Sequence, residues 1–371
     1  MHTTEILIVG GGVSGSSIAY HLARMGRAVL VIDRGEIAAE PSASWASAGG
    51  VRRQGRHRAE VALAIEASAR WNTLEQELDA NLDYRRGGNL MLAESDAHAQ
   101  RLAAFIERQH RNGLSDVVLL DRIQVRELAP GVAEQVVAGS FSPADGHADP
   151  VLTTRAFASA AARHGTKYWT NTNCDSLIPE GRRITGARTS RGAVDAETTV
   201  IAAGAWSMKL AAAVGIDLPL RIEALQMIRS SASSANILTP VLSSLGRALS
   251  LKQLPSGSFL LGGGWLGDLA DDNNYRLRPQ NIDRNWNEAC AVLPAVAQQR
   301  IERAWCGLEA MCTDDLPIVG LVPHLDGIVL AFGFSGHGFA IAPAVGRAVA
   351  DLIQGKPVPE LDGIRPDRFL P

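Results

Sequence analysis

Apolar residues open the chain as Glu5-Ile6-Leu7-Ile8-Val9, a largely β-branched run that stops abruptly at Gly10-Gly11-Gly12. From Ser14 to Met25 the apolar positions Ile18, Leu22 and Met25 recur at helical spacing, and a second apolar run, Ala28 to Ile32, follows at once. This predicts a strand, helix, strand unit of about 30 residues. Its nearly continuous apolar strands suit a parallel sheet covered on both faces.

Residues 36–55 are small and irregular, with Pro41 and Gly49-Gly50 running into Arg52-Arg53; Trp45 and the basic residues mark a functional loop rather than a linker. Leu63, Ala67, Trp71, Leu74 and Leu78 then predict a single amphipathic helix from Glu60 to Leu78. Gly87-Gly88-Asn89 leads into a strand at Leu90-Met91-Leu92, and a helix is expected over 97–112. Asp149-Pro150 introduces a helix from Leu152 to Arg163, which His164-Gly165 ends. A buried strand over 199–203 breaks at Gly204 and resumes as a helix at Trp206, residues 220–305 read as strand-rich, and Gly327 to Phe334 is a strand entering a glycine turn and a helix to Ile353. The fold class expected is α/β, with an α+β portion.

At 371 residues, 46% of them hydrophobic, the chain is long enough to bury the cores of two domains. A formal net charge of -3 gives no electrostatic reason for nucleic acid or an anionic membrane as partner. Cys174, Cys290, Cys306 and Cys312 form no CxxC pair, so neither a disulfide framework nor a metal site is expected. No apolar run approaches the roughly 20 residues of a membrane span. The N-terminus lacks a signal-peptide pattern, and a soluble cytoplasmic protein is expected.

Gly10-x-Gly12-x-x-Gly15, between a predicted strand and a predicted helix, is the pattern that binds a dinucleotide. Gly10 makes the tight turn, Gly12 admits a pyrophosphate, Gly15 lets helix and strand pack closely, and Val13 and Ser14 open the helix whose amides face the phosphates. Asp33, at the end of the second strand, is placed to accept hydrogen bonds from a ribose and disfavours a 2'-phosphate. Two further glycine turns, Ala203-Gly204-Ala205-Trp206 and Gly333 to Gly338, suit long FAD better than a dissociable nicotinamide.

These features, with AAGAWS at 202–207, GLEAMCTDDLPIVG at 307–320 and GFSGHGFAIAPAVGRAVADLI at 333–353, make the whole chain resemble the D-amino-acid oxidase / sarcosine oxidase superfamily of FAD enzymes. The SASWASAGGVRRQGR loop at 42–56 and GGNLMLAES at 87–95 look most like beta subunits of bacterial opine, D-hydroxyproline and heteromeric sarcosine or proline dehydrogenases. The resemblance implies an FAD-binding Rossmann-like domain (1–85, 145–215 and 310–371) interleaved with a mixed-sheet substrate domain (86–144 and 216–309). It places Asp33, Arg34 and the backbone near Cys174 at the adenosine. Ser44, Ala48, Gly49 and Gly50 flank the isoalloxazine, and Gly336, His337 and Gly338, followed by Phe339 and Ala340, sit at its pyrimidine end. A residue aligned near Leu308 replaces the family's covalent cysteine, so non-covalent FAD is expected.

The resemblance also implies oxidation of the C–N bond of a small amine or amino acid, with Arg52 gripping a substrate carboxylate and His337 touching the flavin. The other reading of Arg52-Arg53 is an ordinary solvated pair. Two lysines of the family are missing: Ala340 stands where one would assist with the carboxylate, leaving Arg53, Arg247 or His57 as helper, and Leu260 stands where another would promote oxygen attack. Electrons are therefore expected to pass to a partner, by resemblance a larger dehydrogenase subunit with a small iron-sulfur subunit. An oxygen-using oxidase and an electron-relay subunit without its own substrate are the alternatives. His147 reads as part of a turn approaching the helix that follows Asp149-Pro150.

Overall fold

The N-terminal apolar run forms the strand His2–Val9, whose alternating side chains enter two cores: Ile6 and Ile8 one, Leu7 and Val9 the other. Burial on both faces is what a parallel strand inside a covered sheet requires. The strand pairs in parallel with Val29–Ile32 on one side and Gly192–Ile201 on the other, and Lys167–Trp169 and Leu325–Phe332 extend the parallel set outwards. Antiparallel strands Cys174–Glu180, Arg183–Thr189 and Ile318–Val322 complete an eight-stranded sheet. This computed structural model describes residues 2–271 and 274–370.

A second eight-stranded sheet runs in the order Ile301–Cys312, Leu220–Ala232, Ser258–Gly262, Ser250–Gln253, Val241–Ser244, Asn89–Ala93, Ala138–Ser142, Val118–Asp121. It is antiparallel except between Val241–Ser244 and Asn89–Ala93. Its outermost strand, Ile301–Cys312, spans the expected domain boundary at 309/310. The free edge of that strand is not bare, because the Leu308 amide donates to the Pro41 carbonyl at 3.0 Å and Ser42 bridges to Leu308. The loop over 36–47 thus binds across the end of the second sheet.

Two expected elements differ. The predicted helix from Glu60 to Leu78 is two, Arg58–Trp71 and Leu74–Leu78, because Asn72-Thr73 are poor helix formers and the chain turns there. The strand-rich stretch 220–305 also contains the helix Pro279–Val292, with proline in its first turn and Ala289 and Val292 buried against the second sheet. Asp149 caps Pro150–Arg163 by accepting from the Leu152 amide, as the Asp-Pro signal predicts.

The helices Val13–Arg24 and Gly338–Ile353 lie in direct contact over the first sheet. Ser17 donates to the Ala342 carbonyl at 2.9 Å, and Trp71 Nε1 donates to the Ala340 carbonyl at 2.8 Å, both buried. Gly346 makes the approach possible, since a Cβ there would meet Ser17 Oγ at 2.0 Å and the Ser17 carbonyl carbon at 2.7 Å. Gly346→Ala is expected to lower the free energy of unfolding by about 1–3 kcal/mol through overpacking, read by denaturant melts followed by circular dichroism. An unchanged midpoint would show that the two helices separate freely.

Candidate cofactor-binding and active site

The carboxyl ends of the central parallel strands open into a cavity of about 1060 Å³, at the switch point where α/β sheets bind ligands. Its wall includes Gly10, Gly12, Val13 and Ser14 from the first turn, Asp33 and Arg34 from the second strand end, and Ser44 from the following loop. Cys174, Ala203, Gly204 and Trp206 belong to it, as do Gly333, Gly336, Gly338 and Phe339. The three glycine turns picked out in the sequence therefore meet at one cavity.

Backbone contact explains the glycines. A Cβ on Gly10 would sit 2.4 Å from the Ala202 carbonyl oxygen, and one on Gly15 would sit 1.9 Å from the carbonyl oxygen of Gly10. Gly15 accordingly packs inside the turn and is not on the wall. Gly12 is the N-cap of Val13–Arg24 and supplies no side chain to its amides, while the Val13 amide donates to Ser44 Oγ at 2.9 Å. With only its first amide taken by Ser44, the helix N-terminus at the cavity is a site for phosphate.

Asp33 closes one end. Its Oδ2 accepts from the Gly11 amide at 2.7 Å and its Oδ1 from the Gly35 amide at 2.9 Å, so the carboxylate is fixed by both turns it joins. Burial pushes its pKa up, opposed by these two amides. Arg34 stacks over the Trp206 ring at 4.9 Å and links the second strand end to the turn at 204–206. The glycines, the helix terminus and the half-buried carboxylate fit an extended dinucleotide, for which Asp33 would accept from the ribose and the amides after Gly12 would meet the pyrophosphate.

At the opposite end, several expected positions lie off the wall. Gly49 packs on the Ala148 carbonyl, where a Cβ would come within 2.0 Å, and Gly50 pairs with His147 across a two-stranded ribbon of Gly50–Val51 and Gly146–His147. Ala48 is likewise outside the wall, and Ala340 is turned to its contact with Trp71. The His337 ring does not face the cavity either; its Nδ1 lies 3.1 Å from the buried carboxylate of Glu60. Burial, foremost, together with Arg56 and Arg52, pulls the His337 pKa down against the pull of Glu60.

Arg52 and Arg53 are not a solvated pair. Arg53 binds Asp116 at 2.6 Å and Asp145 at 3.4 Å, whereas Arg52 and Arg56 have no carboxylate within ion-pair distance among the described residues. Arg56 donates from Nε to the Arg52 carbonyl, and its buried Nη1 has no partner. Burial draws the Arg56 guanidinium down to about 10. Of the helpers considered for Arg52, Arg247 is instead clamped by Glu94, just past the strand Asn89–Ala93, and by Glu288 on the helix Pro279–Val292, and His57 caps a helix by accepting from the Ala59 amide. The neighbour is Arg56, four residues on, which the sequence reading passed over.

Leu260 is buried, and directly across the strand pair stands Lys252. That ammonium is buried, has no acid within ion-pair distance among the described residues, and lies 3.3 Å from His147 Nδ1; burial brings Lys252 down to about 8 and His147 to about 3. A neutral imidazole then accepts from the ammonium. Arg52, Arg56 and Lys252 thus flank the Gly50–Val51 ribbon with unneutralised charge. Cys306 is buried away from the wall, and among the described residues no cluster of His, Cys, Asp or Glu could hold a metal. Nor is any helix among them long and apolar enough to cross a membrane.

A family model described as FAD dependent oxidoreductase (DAO) matches residues 5–352. The glycine oxidase of Bacillus licheniformis is 29% identical over 95% of this chain and 94% of its own. The beta chain of the sarcosine oxidase of Rhodobacter capsulatus is 26% identical over 94% of this chain and 84% of its own. The crystal structure of L-proline dehydrogenase from P. horikoshii superposes with a TM-score of 0.90 at 29% identity, over 99% of this chain and 98% of that one.

Replacing Asp33 by Ala removes the acceptor that joins the Gly11 and Gly35 turns. FAD affinity is expected to fall about 10- to 100-fold, roughly 1.4–2.8 kcal/mol, measured by quenching of FAD fluorescence on titration with apoprotein. Unchanged affinity would detach Asp33 from the dinucleotide.

Proposed function

The chain belongs to the DAO family of FAD-dependent oxidoreductases, and on that premise we propose that it oxidises the C–N bond of a small amino acid or secondary amine to an imine, the substrate being of D-hydroxyproline, opine, proline or sarcosine type. Bound FAD supplies the two-electron acceptor, receiving a hydride from the carbon beside nitrogen. The observation that carries the substrate class is the cation set: buried Arg56 and Lys252 and half-buried Arg52 border one ribbon without an acid of their own within ion-pair distance among the described residues. Unpaired charge is costly to bury, and a substrate carboxylate relieves that cost.

Arg52 offers two parallel donors to the carboxylate, with Arg56 beside it. Glu60 and Asp145 hold the cluster short of full positive charge without consuming the Arg52 fork. Holding the acid at this ribbon aims the adjacent carbon toward the Gly333 to Gly338 turn, and positioning is the main service the protein renders. FAD is held without a covalent bond, since Leu308 on the wall offers no nucleophile.

Electrons pass to a partner rather than directly to oxygen, a reading supported by Leu260 and by a relative named as one component of a larger sarcosine oxidase. The partner is a larger dehydrogenase subunit acting with a small iron-sulfur subunit. Lys252 favours a second reading, an oxygen-using oxidase, because it brings a buried ammonium opposite Leu260 and could steady negative charge on oxygen.

Under anaerobic conditions, D-hydroxyproline, proline, sarcosine or octopine is expected to bleach the flavin. Arg52→Ala should raise the half-bleaching concentration about 10- to 100-fold, with equal bleaching by an amine that has no carboxylate. If every amine leaves the yellow colour intact, the chain is a relay subunit.

The bleached protein is expected to regain colour faster with phenazine methosulfate than with air. Rapid recovery in air that Lys252→Met slows about tenfold or more would establish the oxidase reading instead.

A further inference from the structure

Glu309 is the acid that lines the cavity at the end opposite Asp33, among Leu308, Ala310, Gly333 and Gly336. It sits on Ile301–Cys312, the edge strand that closes against the 36–47 loop, and one oxygen accepts from the Gly336 amide at 2.7 Å. Its other oxygen has no protein partner among the described residues. The charged side chain acting on it is a like charge, Glu223, directly across the strand pair and itself bonded to Arg221 at 2.7 Å. Among the described residues no cation lies within ion-pair distance of this carboxyl, and none acts on it electrostatically. Burial and Glu223 push it up to about 7.

A group that removes a hydride from carbon needs the neighbouring nitrogen lone pair free, yet an amine in neutral water arrives as an ammonium ion. Either the small neutral fraction of the amine binds, or a base inside the cavity takes that proton. Resting on the reading of the chain as an amine oxidoreductase, we propose that Glu309 receives the ammonium group of the substrate and accepts one of its protons. The N–H bond breaks, an O–H bond forms on the Glu309 carboxylate, and the electron pair stays on nitrogen. Glu309 and the cations at the ribbon then divide a zwitterion between them, carboxyl group to one side and amine to the other. A purely structural Glu309 would only hold the turn at Gly336.

The test uses 2-aminoisobutyrate, which carries an ammonium and a carboxylate but no α-hydrogen and so binds without being oxidised. Isobutyrate is its amine-free counterpart. Affinities are read by calorimetry and by perturbation of the flavin spectrum in the FAD-loaded protein. Glu309→Gln still accepts from the Gly336 amide, so melting temperature and FAD content serve as the check on folding. Affinity for 2-aminoisobutyrate is expected to fall about tenfold or more in Glu309→Gln and less in Glu309→Asp, with isobutyrate changed less than about twofold. Equal losses for both probes, or none for 2-aminoisobutyrate, would overturn the assignment. A loss confined to 2-aminoisobutyrate in a protein that no amine bleaches would uphold the Glu309 site while removing the oxidation reading it was built on.

Discussion

Everything at the cavity depends on backbones touching where side chains would keep them apart. Gly10 lies against the Ala202 carbonyl and Gly15 against Gly10 itself, so the first strand, the first helix and the strand ending at Ile201 share one point of contact. No methyl group fits there. The same contact turns the free amides of Val13–Arg24 toward the cavity and leaves the second strand to end in Asp33, whose two oxygens tie the turns together. Phosphate recognition and sheet packing are thus one constraint.

Charge is arranged by distance from that point. At the dinucleotide end the groups are an acid held by two amides and an arginine laid on a tryptophan ring. Around the Gly50–Val51 ribbon lie cations, one of them Arg56 with a buried donor unpaired among the described residues, and on the cavity wall lies the Glu309 carboxyl, held by one amide and opposite another acid. Satisfied groups hold shape, whereas a buried charge without a partner favours a ligand that brings one. The second sheet contributes Lys252 and Glu309 from strands that take no part in the first.

The dinucleotide end was legible because its signals are local: a glycine spacing, an apolar run and an acid at a strand end lie within 33 residues. All of Gly10, Gly12, Val13, Ser14, Asp33 and Arg34 line the cavity, and the distant turns at 204 and 333 join them. The substrate end was not, because its residues meet only through pairing between remote strands. Lys252 reaches His147 through the register of the second sheet and the ribbon, and no periodicity near either residue announces it. His337 stood in a glycine turn that does border the cavity, but its side chain follows Glu60, 277 positions earlier. Arg56 was visible as a residue four beyond Arg52, at helical reach, and its burial could not be read because the run Arg52 to Arg58 is so polar. Glu309 stands in an otherwise apolar run, Gly307 to Met311, and only the pairing with Leu220–Ala232 sets it opposite Glu223.

The hydrogen bond from Leu308 to Pro41 joins the first tenth of the polypeptide to a strand made near its end. On a ribosome the fingerprint turn and its loop emerge long before the strand that clasps them. Until that strand is made the loop has nothing to close against, and the cavity wall is complete only once the turn from Gly333 to Phe339 has been added.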